Sequence, residues 1–190
     1  MAKNKVVYGF SNLHVGTWSY NEEGAAVLGT PYHQIGAVGF SPSQDSDTTN
    51  FAADDIDFWS YISEGVIEGD LIVANFDDEF RTQFLGWAAN TNGGIGPVKN
   101  AVKPNIYIAF ELKGSSEKRR IIFYGGSTGP VNREFNTVDG TPEPATDTLP
   151  VSFVGDNVTG KLYDIFKPGD TGYDTLFTAP TAPVLATAGE

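Results

Sequence analysis

Two runs, NIYIAFELK (105–113) and KRRIIFYGG (118–126), stand either side of Gly114-Ser115-Ser116-Glu117. Both are crowded with β-branched and aromatic residues, and the short polar link lets the second run return beside the first. This is the clearest hairpin signal in the chain. The composition agrees, because 13% aromatics and 22 glycines against a single methionine suit β-structure with many turns better than a helical bundle. The 190 residues point to one domain with room for a buried core.

Other segments repeat the theme. Residues 5–10 and 13–20 read as opening strands or an extended arm, 21–31 as a loop, and 32–41 as strand-like, followed by SPSQDSD as a polar turn or loop. From Thr48 to Ile62, alternation places Ile56, Phe58, Ser60 and Ile62 on one face and Asp55, Asp57, Trp59 and Tyr61 on the other. Residues 66–76 are expected to return as its partner through a turn at 63–65. DDEFRTQFLG (77–86) carries the one helix signal, with Asp77 or Asp78 as cap, Glu79 in the first turn, a Phe80/Phe84/Leu85 stripe and Gly86 as terminator. So short a helix is marginal alone, and its stripe is expected to dock on a sheet. Residues 88–104 read as a long loop and 127–147 as turn-rich, while 151–154 and 161–165 read as a last hairpin around Asp156 and Asn157.

Charge narrows the function. Asp and Glu number 24 against 12 Lys and Arg, a formal charge of −12, which excludes a protein that grips nucleic-acid phosphates through a broad basic surface. The imbalance is local: thirteen carboxylates lie from Glu22 to Glu79 with no basic residue between Lys5 and Arg81. Such a half must face solvent, pair with another segment or subunit, or repel something. Cysteine is absent, excluding disulfides, thiolate metal sites and cysteine nucleophiles. No apolar run approaches the roughly 20 residues of a spanning helix, and MAKNKVVYGF lacks a secretory core, so a soluble chain made in a cytoplasm is expected.

The chemical motifs are weak. Gly155-x-x-x-x-Gly160-Lys161 resembles a phosphate loop but has Leu162 where a magnesium-binding hydroxyl belongs, and it falls on a hairpin. Asp54, Asp55 and Asp57 offer metal-type oxygens, but a strand sends Asp54 to the opposite face. His14 and His33 stand near no catalytic pattern, and such histidines are more often packed or on the surface. Trp18, Trp59 and Trp87 could form a sugar-stacking face, though tryptophans in a β-protein more often belong to core or interface. No catalytic constellation, cofactor or metal site emerges.

GAVGFSPSQDSDTTNFAADDIDFWS (36–60), EGDLIVANFDDEFRTQFLGW (68–87) and YIAFELKGSSEKRRIIFYG (107–125), in that order, resemble the major tail protein, or tail tube protein, of long-tailed non-contractile phages, especially those of Gram-positive bacteria. The most specific pieces are TTNFAADD (48–55), EGDLIVA (68–74) before DDEFRTQFLG, and KRRIIFYG (118–125), and the likeness spans about residues 5–165. It implies a β-sandwich or barrel with one flanking helix and extended arms. The residues themselves place one domain over 1–178, with an N-terminal arm at about 1–12 and the 88–104 loop, and a flexible tail at 179–190; that loop and tail carry no motif of the family. The resemblance also implies subunits joined into hexameric rings that stack as a tube around a tape measure protein. A tail-tip initiator and a tail terminator would bound the tube, through which DNA passes unbound into the host. The place of action would be the virion, assembled in the host cytoplasm, without membrane insertion.

Under that resemblance, Asp54, Asp55, Asp57, Glu68 and Asp70 are candidates for the lumen or a subunit seam, where acids repel the passing polyanion. Lys118, Arg119 and Arg120, the one compact basic run, are candidates for intersubunit ion pairs. The competing readings are a carbohydrate-binding β-sandwich or virion decoration or receptor-binding protein, and a metal-dependent hydrolase built on the Asp cluster.

Overall fold

The computed structural model describes residues 8–53, 56–114, 118–133, 135, 137 and 144–185. The fold is mainly β, with one short helix and a large antiparallel sheet. In chain order the elements are β1 (Phe10–Tyr20), β2 (Ala26–Leu28), β3 (Tyr32–Gln34), β4 (Ala37–Ala53), β5 (Ile56–Val73), α1 (Asp78–Leu85), β6 (Trp87–Ala89) and β7 (Ile95–Pro97). There follow β8 (Asn105–Leu112), β9 (Arg119–Thr128), β10 (Asn132–Arg133), β11 (Asp147–Phe153) and β12 (Tyr163–Phe166). The main sheet runs β2-β1-β8-β9-β11-β5-β4, with β3 beside β1, β10 beside β11 and β12 beside β9.

Alternation sets the faces. Along β11, Asp147, Leu149, Val151 and Phe153 are buried while the residues between them are half-buried. Strand β8 is buried on both faces, which is why it reads as an unbroken apolar run. Its Ile106, Ile108 and Phe110 join Leu13, Val15, Leu71, Phe123 and Phe153 in the main core. Its Tyr107 and Ala109 join Trp18, Ile122 and Tyr124 in a second cluster on the outer face, closed by Leu176 with Phe166 and Phe177 packed against it. The sheet curls, so that Phe40 of the last strand in the order meets Phe110 and Phe123 at ring distances of 6.0 and 5.3 Å.

The helix follows its signals. Asp77 caps α1 by accepting from Phe80 N at 2.8 Å, and Gly86 ends it at a left-handed φ of 67°. Phe80, Phe84 and Leu85 are buried in the main core beside Phe76. Each such side chain stabilises the fold by about 1.5–3 kcal/mol relative to an exposed one.

SPSQDSD (41–47) forms no turn or loop but lies within β4, paired with β5, and two strand pairings also differ from expectation. Residues 63–65 make no turn: β5 runs straight through them and pairs with β4, from Ala37↔Val73 at the base to Ala53↔Ile56 at the tip. A lone glycine inside a strand can mark a close backbone approach rather than a turn, and a Cβ on Gly65 would stand 3.0 Å from the Asp45 carbonyl. Nor do β11 and β12 form a hairpin. Both pair with β9, which holds β12 along Arg120, Ile121, Ile122 and Phe123 and β11 along Gly126, Ser127 and Thr128. Gly125 divides the two at φ 62°, where a Cβ would lie 2.2 Å from the Gly155 carbonyl oxygen. Within 88–104, β6 and β7 form a small hairpin closed by Asn90. The start of the proposed N-terminal arm (1–7), the tip residues Asp54 and Asp55, the 115–117 link and the end of the tail (186–190) lie outside the described residues.

Candidate assembly surface

The longest element is the β4–β5 hairpin, with strands of 17 and 18 residues. Its base belongs to the sheet, because residues 67–73 pair with β11 on their other side. Beyond Ile67, β5 pairs only with β4 among the described residues, leaving a two-stranded ribbon. Residues 56–66 span roughly 35 Å at about 3.3 Å per residue. Described side chains from 41 to 51 and 59 to 66 are all exposed. An isolated two-stranded ribbon is at best marginally stable in water.

The ribbon is not uniformly polar. Trp59, 52% exposed, stacks on Tyr61 with ring centroids 5.7 Å apart and planes 2° from parallel. Phe51 stands directly across from Trp59, and Ile62 lies exposed on the opposite face. Among its described side chains Asp45, Asp47 and Glu64 carry charge, and the backbone of Asp57 sits opposite Ala52.

At the hairpin base, Glu68 and Asp70 point away from the core, since Ile67, Leu71 and Val73 alternate with them and are buried. The register aligns Ser127, Ser152, Glu68 and Ser43 across four strands, and Pro150, Asp70 and Ser41 in the row beside them. This makes an open, hydroxyl-rich groove carrying two carboxylates. Lys103 reaches its margin, but its ammonium is turned onto the Thr128 and Gly129 carbonyls at 3.2 and 2.7 Å, and burial lowers its pKa.

The basic run divides. Lys118 is exposed beside the β8–β9 link, and Arg119 is half-buried. Arg120 is engaged within its own chain, pairing with Glu111 at 3.2 Å, donating to the Tyr173 carbonyl, and lying 4.1 and 4.6 Å from the Tyr173 and Phe177 ring centroids. Of the tryptophans, Trp18 is buried in the second cluster and Trp87 lies under Arg81 at 4.9 Å, so a three-tryptophan sugar face does not form.

The phosphate-loop lookalike closes on itself: Asp156 N donates to Lys161 O, and Gly160 N to Asp156 O. Burial works against the Asp156 charge, but hydrogen bonds from Thr159, Val158 and Tyr20 outweigh it and hold its pKa below the usual 3.8. Among the described residues no three His, Cys, Asp or Glu side chains gather as a metal site, and no helix is long and apolar enough to cross a membrane.

Sequence reasoning missed two clusters. Asp147, fully buried, accepts from Phe76 N at 2.9 Å and from Arg81 and Arg133 at 3.2 and 3.0 Å. His14 and His33 face each other in the β1–β3 register and stack at 4.7 Å. Neither has a local signal, because the partners are brought together by strand order. No family model and no curated protein matches the chain.

Proposed function

We propose that this chain is a structural subunit that assembles with copies of itself into stacked hexameric rings, forming the tail tube of a long-tailed phage. The observation that carries the reading is the β4–β5 ribbon, a long two-stranded projection with exposed aromatic residues and backbone edges. Copies of the chain can cover both, and ring closure removes unpaired edges as aggregation hazards. The hydroxyl-rich groove with Glu68 and Asp70 suits a lumen wall, since it offers a passing phosphate backbone repulsion and no salt link that would hold it. A tape measure protein would fill the tube before DNA, with an initiator and a terminator at its ends. The subunit would act in the virion by geometry and charge, with no catalytic step.

Electron microscopy of the purified protein tests the reading. Hollow rings or tubes are expected from the intact chain, and none from a chain with residues 45–66 replaced by a tight two-residue turn. A chain that stays monomeric under all assembly conditions, including addition of preformed tail tips, overturns it.

The exposed Trp59–Tyr61 stack favours one alternative, a carbohydrate-binding or receptor-binding virion protein, because flat aromatic faces stack on sugar rings. Glycan binding by a stable monomer, lost on Trp59→Ala, would select that alternative.

A further inference from the structure

The outer face of β1, β8 and β9 is apolar, and what covers part of it is the turn-rich chain that follows β12. Leu176 closes the cluster over Trp18, Tyr107 and Tyr124, and Phe177 and Tyr173 lie on the Arg120 guanidinium. At the margin of this cover stands His14, 8% exposed, stacked on Phe177 at 4.5 Å on one side and on His33 at 4.7 Å on the other.

We propose that residues 167–183 form a strap over β1, β8 and β9 that is held while His14 is neutral and released when His14 takes up a proton. A hydrogen bond to Asn12 fixes which nitrogen carries the proton of the neutral ring, although this bond by itself favours the charged form. Asn12, at a left-handed φ of 56° beside the bulge in β1, presents its carbonyl to His14 Nδ1 at 3.1 Å. A carbonyl can only accept, so Nδ1 carries the proton and Nε2 is the site that a second proton would occupy. Among the described residues no side chain or carbonyl accepts from Nε2, so a proton added there gains no protein partner to offset the ring's loss of solvation.

The charges around the ring act the same way. His33 faces it from β3 and Arg120 from β9, and both oppose a positive charge on His14. The carboxylate in the neighbourhood, Glu111 on β8, is paired with Arg120. The strap presents the Phe177 ring to His14 and the Tyr173 ring and carbonyl to Arg120. Burial, offset in part by the Asn12 hydrogen bond and reinforced by His33 and Arg120, lowers the His14 pKa in the closed form.

The linkage sign follows. With the strap open, His14 is solvated and titrates near its ordinary value of about 6.5. The closed form binds its proton less readily, so the open form holds more protons between the two values. Opening is therefore promoted as pH falls below about 6.5 and levels off once pH drops below the closed-form value, with a slope of at most about tenfold per pH unit for one proton.

Hydrogen–deuterium exchange of the full chain between pH 8 and pH 5, corrected for intrinsic exchange, tests this. Peptides covering 167–183 should lose protection as pH falls, while peptides covering 147–153 stay protected. His14→Phe, which keeps the stack without the charge, and His14→Gln should each flatten the strap's profile. His33→Gln should keep a profile of the same sign. A flat wild-type profile overturns the proposal even if neither His14 variant folds. So does an unchanged slope in a His14 variant, or a slope abolished by His33→Gln alone.

Discussion

Arg81 Nη2 lies 3.2 Å from Asp147 Oδ2, joining the only helix among the described residues to a strand 66 positions later in the chain. Arg133 reaches the same carboxylate from β10, and Phe76 N donates to it from the segment before the helix. One fully buried acid thus ties three stretches of chain together. Asp147→Asn removes the charge from between two arginines, and breaking a buried pair of this kind costs roughly 3–5 kcal/mol. Urea unfolding should report a loss of that order, whereas a loss below about 1 kcal/mol would show that water, or Asn75, whose side-chain oxygen already accepts from Arg81 and Arg133, replaces the carboxylate.

Phe84 sits with no exposed surface between α1 and the main core. Phe84→Ala should cost roughly 3–5 kcal/mol. For a chain of this size that corresponds to a melting point lower by roughly 6–20 °C. Calorimetry of the variant measures it, and a shift of a degree or two would mean that the helix stripe is not part of the cooperative core.

The β4–β5 ribbon separates stability from assembly. Trp59 and Tyr61 touch each other but are about half exposed, so a Trp59→Ser, Tyr61→Ser double variant should leave thermal unfolding of the monomer nearly unchanged. Polymer formation followed by light scattering should fall at least tenfold. Lys118→Glu, which reverses the exposed charge beside the β8–β9 link, should also slow assembly, with a smaller effect at high salt. Unchanged scattering in both variants would remove the ribbon and the basic turn from the interface.

Glu68 and Asp70 make a different prediction, because they face out from a formed sheet. A Glu68→Lys, Asp70→Lys double variant should assemble but retain DNA, giving tubes whose association with short duplexes strengthens as salt is lowered. Equal DNA retention by wild-type and variant tubes would place this groove away from the lumen.

Asp156 sets an acid limit. Its folded-state pKa is held low, so its contribution is fully present above the unfolded value of about 3.9 and is lost as pH falls through the lower folded value. Asp156→Asn should be less stable than wild type at pH 7, and the gap should narrow below about pH 4. Parallel denaturation curves across that range would show that the Thr159 and Tyr20 bonds do not depend on the charge.

Local patterns made most of the secondary structure legible. The β8–β9 hairpin, the capped helix and its Phe80/Phe84/Leu85 stripe each depend on residues within a few positions of one another. The alternation of Trp59 and Tyr61 against Ile62 was readable for the same reason, yet its turn was misplaced. Gly65 looks like punctuation in one dimension, while in the fold it lets the Asp45 carbonyl approach. The pairing of both β11 and β12 with β9 was equally hidden, because it depends on Gly125 breaking one strand into two pairing surfaces.

By itself, the sequence determined that this is a β-protein with one short helix, no cysteine chemistry and an acid-rich first half without bases. Those properties reside in side-chain type and short-range periodicity, which need no partner to be read. Only the tertiary structure decided which acids share a face, that Arg120 is bound by Glu111 and Tyr173 of its own chain, that His14 lies between His33 and Phe177, and that the β4–β5 ribbon leaves the sheet. These are consequences of strand order and register, which bring together residues from 9 to 163 positions apart in the chain. A polar residue's partners are set by that long-range geometry, since each pairing must satisfy a buried group where the fold happens to place it.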